Sequence, residues 1–142
     1  MIILDTNVVS EVVKIGRSSA VVTWLDEMPV DSLYLTAVSL SELCIGVEIL
    51  PLGKRKSALK ADLGELLAKL FGSRVLPFDE DAAIAYGALV GKARLAGKSV
   101  SMPAGQIGSI AAVRGFTVAT RDTEPFLALG VATIDPWNAL SL

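Results

Sequence analysis

A chain of 142 residues, 52% hydrophobic and 20% charged, has the length of one domain with its own core, because folding at this size hides about two thirds of the unfolded surface. Thirteen Lys and Arg against fifteen Asp and Glu give a net charge of −2, which excludes a uniformly basic nucleic-acid-binding body. With no histidine and a single cysteine, Cys44, the chain has no means for Ser-His-Asp or Cys-His catalysis, His-liganded metals, an internal disulfide or a Cys-rich zinc site.

Ile2 to Leu4 reads as a first strand stopped by Asp5-Thr6-Asn7, and Val8 to Ile15 as a short helix ending near Gly16. Ser18-Ser19 can cap a second helix through Val21, Trp24 and Met28, ended by Pro29. Leu33 to Thr36 is the next strand, followed by a helix through Leu40, Leu43, Val47 and Leu50 that Pro51 and Gly53 break. Lys54 to Leu70 places Leu59, Leu63, Leu66, Leu67 and Leu70 at helical spacing behind a basic leading edge. Val75 to Phe78 is a third strand, with Asp79 as N-cap of a helix from Glu80 to about Ala96.

After a loop from Gly97 to Met102, Pro103 suits the first turn of a helix to Arg114, closed by Gly115. Thr117 to Thr120 forms a strand, Thr123 to Leu129 a short helix, and Val131 to Ile134 a last strand. Short apolar runs alternating with helical stretches predict an α/β/α sandwich on a five-stranded, mainly parallel sheet, one domain over residues 1–142. No apolar run reaches the ~18–20 residues of a membrane span, and Met1-Ile2-Ile3-Leu4-Asp5 has no basic leader. A cytoplasmic protein is expected. A mean hydropathy of +0.57 leaves surplus apolar surface, for which a homo-oligomer or a tightly held partner is the expected destination.

Gly91-Lys92-Ala93-Arg94-Leu95-Ala96-Gly97-Lys98-Ser99 imitates a phosphate-binding P-loop. It has one residue too many between its glycines and follows a helix rather than a strand, so Gly97 is expected to be a helix C-cap.

Acids are placed more tellingly. Ligands of open parallel sheets sit beyond the carboxyl ends of the strands. Asp5 and Asp122 each follow a strand there, and Glu42 lies early in the helix after Leu33–Thr36. Three carboxylates at one rim repel one another unless a cation sits between them, and oxygen donors without His or Cys favour Mg²⁺ or Mn²⁺. Asn7 and Thr120 add neutral oxygens that could orient water. Each acid also has a bland reading: Asp5 and Asp122 as helix caps, and Glu42 closing a capping box with Ser39. Lys54, Arg55, Lys56 and Lys60, then Lys92, Arg94 and Lys98, form basic runs that read as solvated faces, or as phosphate contacts if they flank the rim.

Three segments, in this order and spacing, resemble the PIN-domain ribonucleases: Ile3-Leu4-Asp5-Thr6-Asn7, Thr36-Ala37-Val38-Ser39-Leu40-Ser41-Glu42-Leu43 and Ala119-Thr120-Arg121-Asp122. More narrowly they resemble the VapC-type toxins of bacterial toxin–antitoxin pairs, including the FitB-like branch, through the closing Ile134-Asp135-Pro136-Trp137. The resemblance implies a Mg²⁺- or Mn²⁺-dependent endoribonuclease acting on RNA, usually a dimer, neutralised by a VapB-like antitoxin. It assigns catalytic and metal-binding roles to Asp5, Glu42 and Asp122, and supporting polar roles to Asn7 and Thr120.

Two positions depart from the family pattern. Ala104 in Ala104-Gly105-Gln106-Ile107 stands where a further Asp is expected, and Pro125 where many relatives carry an acid. Engineered inactivation and natural decay into a binding-only protein both produce such a gap, and the intact remainder of the motif favours the first. Two other readings remain at this stage, a non-catalytic antitoxin-binding module and a receiver-type phosphorylation domain using Asp79.

Overall fold

The computed structural model describes residues 1–139. Five strands, β1 (Ile2–Leu4), β2 (Leu33–Thr36), β3 (Val75–Leu76), β4 (Thr117–Ala119) and β5 (Thr133–Ile134), form one sheet in the order β3-β2-β1-β4-β5. Every pairing is parallel. Among the described residues seven α-helices connect them: α1 (Thr6–Val13), α2 (Ser19–Glu27), α3 (Ala37–Glu48), α4 (Lys54–Leu70), α5 (Glu80–Leu95), α6 (Met102–Arg114) and α7 (Glu124–Ala128).

Strand alternation builds the three layers. Leu4, Leu33, Leu35 and Ala119 face a cluster containing Val8 and Val9 of α1, Val21 and Leu25 of α2 and Leu63 of α4. Ile3, Leu76 and Val118 point the other way, onto Val90 of α5, Ile107 and Ile110 of α6 and Phe126 of α7. Both sheet faces are therefore covered, as a parallel sheet with helical crossovers requires. Phe71 and Phe126, both almost wholly buried, anchor opposite layers, each contributing about 2–3 kcal/mol by area burial.

Helix ends follow local chemistry. Ser18 Oγ accepts from the Val21 amide, Asp79 Oδ1 from Ala82 at 3.0 Å, and Ser101 Oγ from Ala104. The P-loop lookalike is indeed a helix terminus. Gly97 is left-handed at φ 76°, the Lys98 amide reaches Ala93 O and the Gly97 amide reaches Arg94 O, both at 2.9 Å, which is the Schellman arrangement.

Two expectations are corrected. Helix α1 begins at Thr6 rather than Val8, because Asp5 Oδ1 accepts from the Thr6 amide and starts the helix at once. The capping box over Ser39 and Glu42 does not form: Thr36, the last strand residue, caps α3 through its Oγ1 to the Ser39 amide at 3.1 Å. Glu42 is thereby released from a capping role and lies in the second turn. A receiver-type reading loses its acceptor as well, since Asp79 is engaged as the N-cap of α5 beyond an edge strand. Among the described residues no helix is long and apolar enough to cross a membrane.

Candidate active site

The strand order reverses direction between β1 and β4, and a crevice opens at such a switch point beyond the carboxyl ends. Asp5 stands at the end of β1, its amide donating to Ala119 O at 2.9 Å, and Thr120-Arg121-Asp122 continues from the end of β4. Asp5 is therefore fixed by strand pairing and by helix initiation together. Its Oδ2 accepts from the Thr120 hydroxyl at 2.8 Å, and its Oδ1 from the Thr6 amide at 2.8 Å.

Two short relays tie the other candidates to it. Thr120 Oγ1 also accepts from Asn7 Nδ2 at 3.2 Å and from the Asp122 amide at 3.1 Å, while Asn7 Oδ1 accepts from the Arg121 amide at 3.3 Å. On the other side, Thr6 Oγ1 donates to Glu42 Oε1 at 2.8 Å and lies 3.0 Å from Ser39 Oγ. The proposed water-orienting role of Thr120 does not survive this geometry: its one proton and two lone pairs are all spent on protein groups. Thr120 and Asn7 instead position Asp5 and the turn that bears Asp122.

The electrostatics agree with convergence. Burial pushes the Asp5 carboxyl above the usual carboxylate range, the negative charges of Glu42 and Asp122 push it further, and the bonds from Thr120 and Thr6 oppose the rise. All five candidate residues thus belong to one interaction network, with the three carboxylates sharing a field. Asp122 is exposed, and its carboxylate makes no hydrogen bond among the described residues. Sequence reasoning missed the linking role of Thr6, which it placed only in the Asp5-Thr6-Asn7 segment that stops the first strand.

The donor set suits a hard divalent cation in kind: oxygens only, each Asp5 oxygen retaining a second lone pair, and a half-buried acid held against like charges. Asp5, Glu42 and Asp122 are the residues that would hold it. The set is incomplete in number. Among the described residues no three Asp, Glu or Cys side chains form a ready metal cage. Ala104, in the first turn of α6, offers no oxygen. Helix α6 ends at Gly115, from which the chain enters the amino end of β4, so its first turn lies toward the carboxyl rim. Pro125 occupies the first turn of α7 and likewise supplies no acid.

Clefts flank the rim on both sides. One of about 660 Å³, between α1, α3 and α4, is lined by Glu42, Arg55, Lys14 and apolar groups including Val13, Leu43 and Leu59. The other, about 570 Å³, is lined by Asp122, Lys98, Ser99 and one face of α7. Arg55 and Lys98, members of the two basic runs, therefore each share a cleft with a rim acid. Lys56 and Lys60 are instead engaged with Glu48.

The PIN domain family profile matches residues 2–131. The chain is 45% identical over 139 residues to VapC ribonuclease Y4jK of Sinorhizobium fredii, covering 97% of this chain and 99% of that protein. It is 41% identical over 138 residues to Toxin FitB of Neisseria gonorrhoeae, again covering 97% and 99%. Among solved structures, FitAcB from Neisseria gonorrhoeae superposes with a TM-score of 0.93 at 40% identity, covering 98% of this chain and 100% of the other. FitAB bound to IR36 DNA fragment gives 0.94 at 38% identity, covering 99% of both chains.

Proposed function

We propose, for a chain that belongs to the PIN-domain family, that it is a toxin of the VapC and FitB kind, a divalent-metal-dependent endoribonuclease restrained by a cognate antitoxin. The observation that supports this reading most is the half-buried Asp5 at the sheet's switch point, bonded to Thr120 and sharing its field with Glu42 and Asp122. A cation bound in that place would offset the burial and the like charges that disfavour ionised Asp5, and would draw a phosphate there.

In the reaction we propose, water attacks the phosphorus of an RNA phosphodiester, the bond to the 3′ oxygen breaks, and a 5′-phosphate and a 3′-hydroxyl remain. A histidine-free chain has no imidazole pair to activate the 2′-hydroxyl, which favours water as the nucleophile. The chemistry that Mg²⁺ or Mn²⁺ supplies when bound is neutralisation of phosphate charge and acidification of water. Asp5, Glu42 and Asp122 would hold the ion. Thr120, Asn7 and Thr6 hold those carboxylates in register, and Arg55 and Lys98 offset the rim's negative charge along the clefts.

Exposed Ile15, Ile49, Leu52 and Leu95 support burial of further surface in a homodimer or against an antitoxin segment. Ala104 predicts weak or absent nuclease activity in this chain. The same substitution favours a second reading, a binding-only module whose work is capture of the antitoxin. Incubation of RNA with this chain and with Ala104→Asp, in Mg²⁺ or Mn²⁺, separates the two. Cleavage gained by Ala104→Asp and abolished by EDTA and by Asp5→Asn supports the enzyme; no cleavage by Ala104→Asp leaves the binding module.

A further inference from the structure

Next to Asp122 in the chain stands a cation whose hydrogen-bonding capacity is unspent. The Arg121 guanidinium carbon lies 5.0 Å from the centroid of the Trp137 ring, and among the described residues no acceptor takes a hydrogen bond from the guanidinium. Trp137 is itself fixed. Its amide donates to Asp135 Oδ1 at 2.9 Å, Asn138 Nδ2 donates to Asp135 Oδ2 at 2.8 Å, and the indole packs onto the cluster that contains Leu4 and Ala119. The Arg121 main chain is held as well, its amide bonded to Asn7 Oδ1.

A guanidinium stacked on an aromatic face keeps its in-plane N–H donors directed outward, and it has already lost the rotamer freedom that a free Arg would give up on binding. Glu11 is an acid whose field reaches Arg121. Its oxygens are occupied by other donors: Oε1 lies 3.0 Å from Lys14 Nζ, and Oε2 accepts from the Ser18 amide at 2.9 Å. Several other cations are spent on the protein itself. Arg74 donates to three backbone carbonyls, and Lys60 pairs with Glu48.

From this geometry we infer that Arg121, held against Trp137, is a phosphate-binding residue that seats the RNA backbone beside Asp5 and Asp122. The inference rests on the ribonuclease reading. Three carboxylates at one rim repel a polyanion, so a strand that approaches them needs a fixed positive group at their side. Arg121 adjoins Asp122 in the chain and presents a planar fork suited to two phosphate oxygens.

Anisotropy of a labelled single-stranded RNA, titrated with protein in EDTA across a salt series starting at low salt, tests the inference without any strand being cut. Each phosphate contact to single-stranded nucleic acid adds about 0.7 to the salt slope. Arg121→Gln should lower the slope by about that amount and weaken binding roughly tenfold. Arg121→Lys should restore the slope without the full affinity. Trp137→Phe should bind like the unsubstituted chain, with Trp137→Leu falling between it and Arg121→Gln. Wild-type affinity and slope in Arg121→Gln would overturn the inference, whatever the melting temperature does, since a merely structural Arg leaves the slope unmoved. If the unsubstituted chain shows no salt-dependent RNA binding, the RNA reading beneath the inference fails first, and that result is seen before any variant is made.

Discussion

The Thr120 hydroxyl donates to Asp5 Oδ2 at 2.8 Å across the boundary between β4 and β1, joining residues 115 positions apart in the chain. Thr120 is fully buried, so its substitution tests how the rim is held. Thr120→Val keeps the shape but leaves a half-buried carboxylate without one donor, and leaves Asn7 and the Asp122 amide without their acceptor. Such losses cost about 1–3 kcal/mol. Denaturant unfolding should show a drop of that size in Thr120→Val and a much smaller one in Thr120→Ser, which retains the hydroxyl. Equal losses in both would mean that packing of the methyl group, not the hydroxyl, is what matters.

Asp5 makes stability depend on pH in an unusual direction for a carboxylate. Its folded pKa is raised, so the native state holds the proton more tightly than the unfolded chain does. Its stabilising contribution is full below the unfolded carboxylate pKa and is lost as pH rises through the folded pKa. Above the unfolded carboxylate pKa the placement of Asp5 is therefore a cost, partly imposed by Asp122. Asp122→Asn removes that charge from an exposed side chain. Its melting temperature at neutral pH should exceed that of the unsubstituted chain by a small margin, and the margin should fade as acid protonates Asp5. A margin that grows on acidification would contradict this account of Asp5.

Helix α6 packs too closely for a methyl group at Gly105. A Cβ there would lie 2.7 Å from Tyr86 Cε2 and 2.9 Å from Val90 Cγ2, and Tyr86 is held edge-on to Phe78. Alanine gains about 1 kcal/mol of helix propensity over glycine, against an overpacking cost of about 1–3 kcal/mol. Gly105→Ala should therefore destabilise on balance. Gly64→Ala, at an α4 site with nothing within 4 Å, should stabilise by up to about 1 kcal/mol. Urea midpoints moving in the same direction for both variants would refute the packing argument.

Much of this arrangement is legible in the sequence because its signals are local. Leucine spacing over Lys54–Leu70 sets the bounds of α4 as observed, and the strand-end positions of Asp5 and Asp122 place both at the carboxyl rim. Other features depend on which residue wins a local competition. Thr36 rather than Ser39 caps α3, because the strand passes into the helix with no intervening loop. The link from Thr6 to Glu42 spans 36 positions, and no periodicity reports it. Arg121 and Trp137 meet for the same reason, through the pairing of β4 with β5.

Binding of Mn²⁺, followed by the loss of its free-ion EPR signal during titration, addresses the metal centre most directly. This chain should bind weakly through Asp5, Glu42 and Asp122. Ala104→Asp should tighten binding by at least about 10–100-fold, the range already lost when only groups supporting metal ligands are removed, and Asp5→Asn should abolish it. Mn²⁺ affinity left unchanged by Asp5→Asn, or no binding even in Ala104→Asp, would contradict a divalent-metal site at this rim.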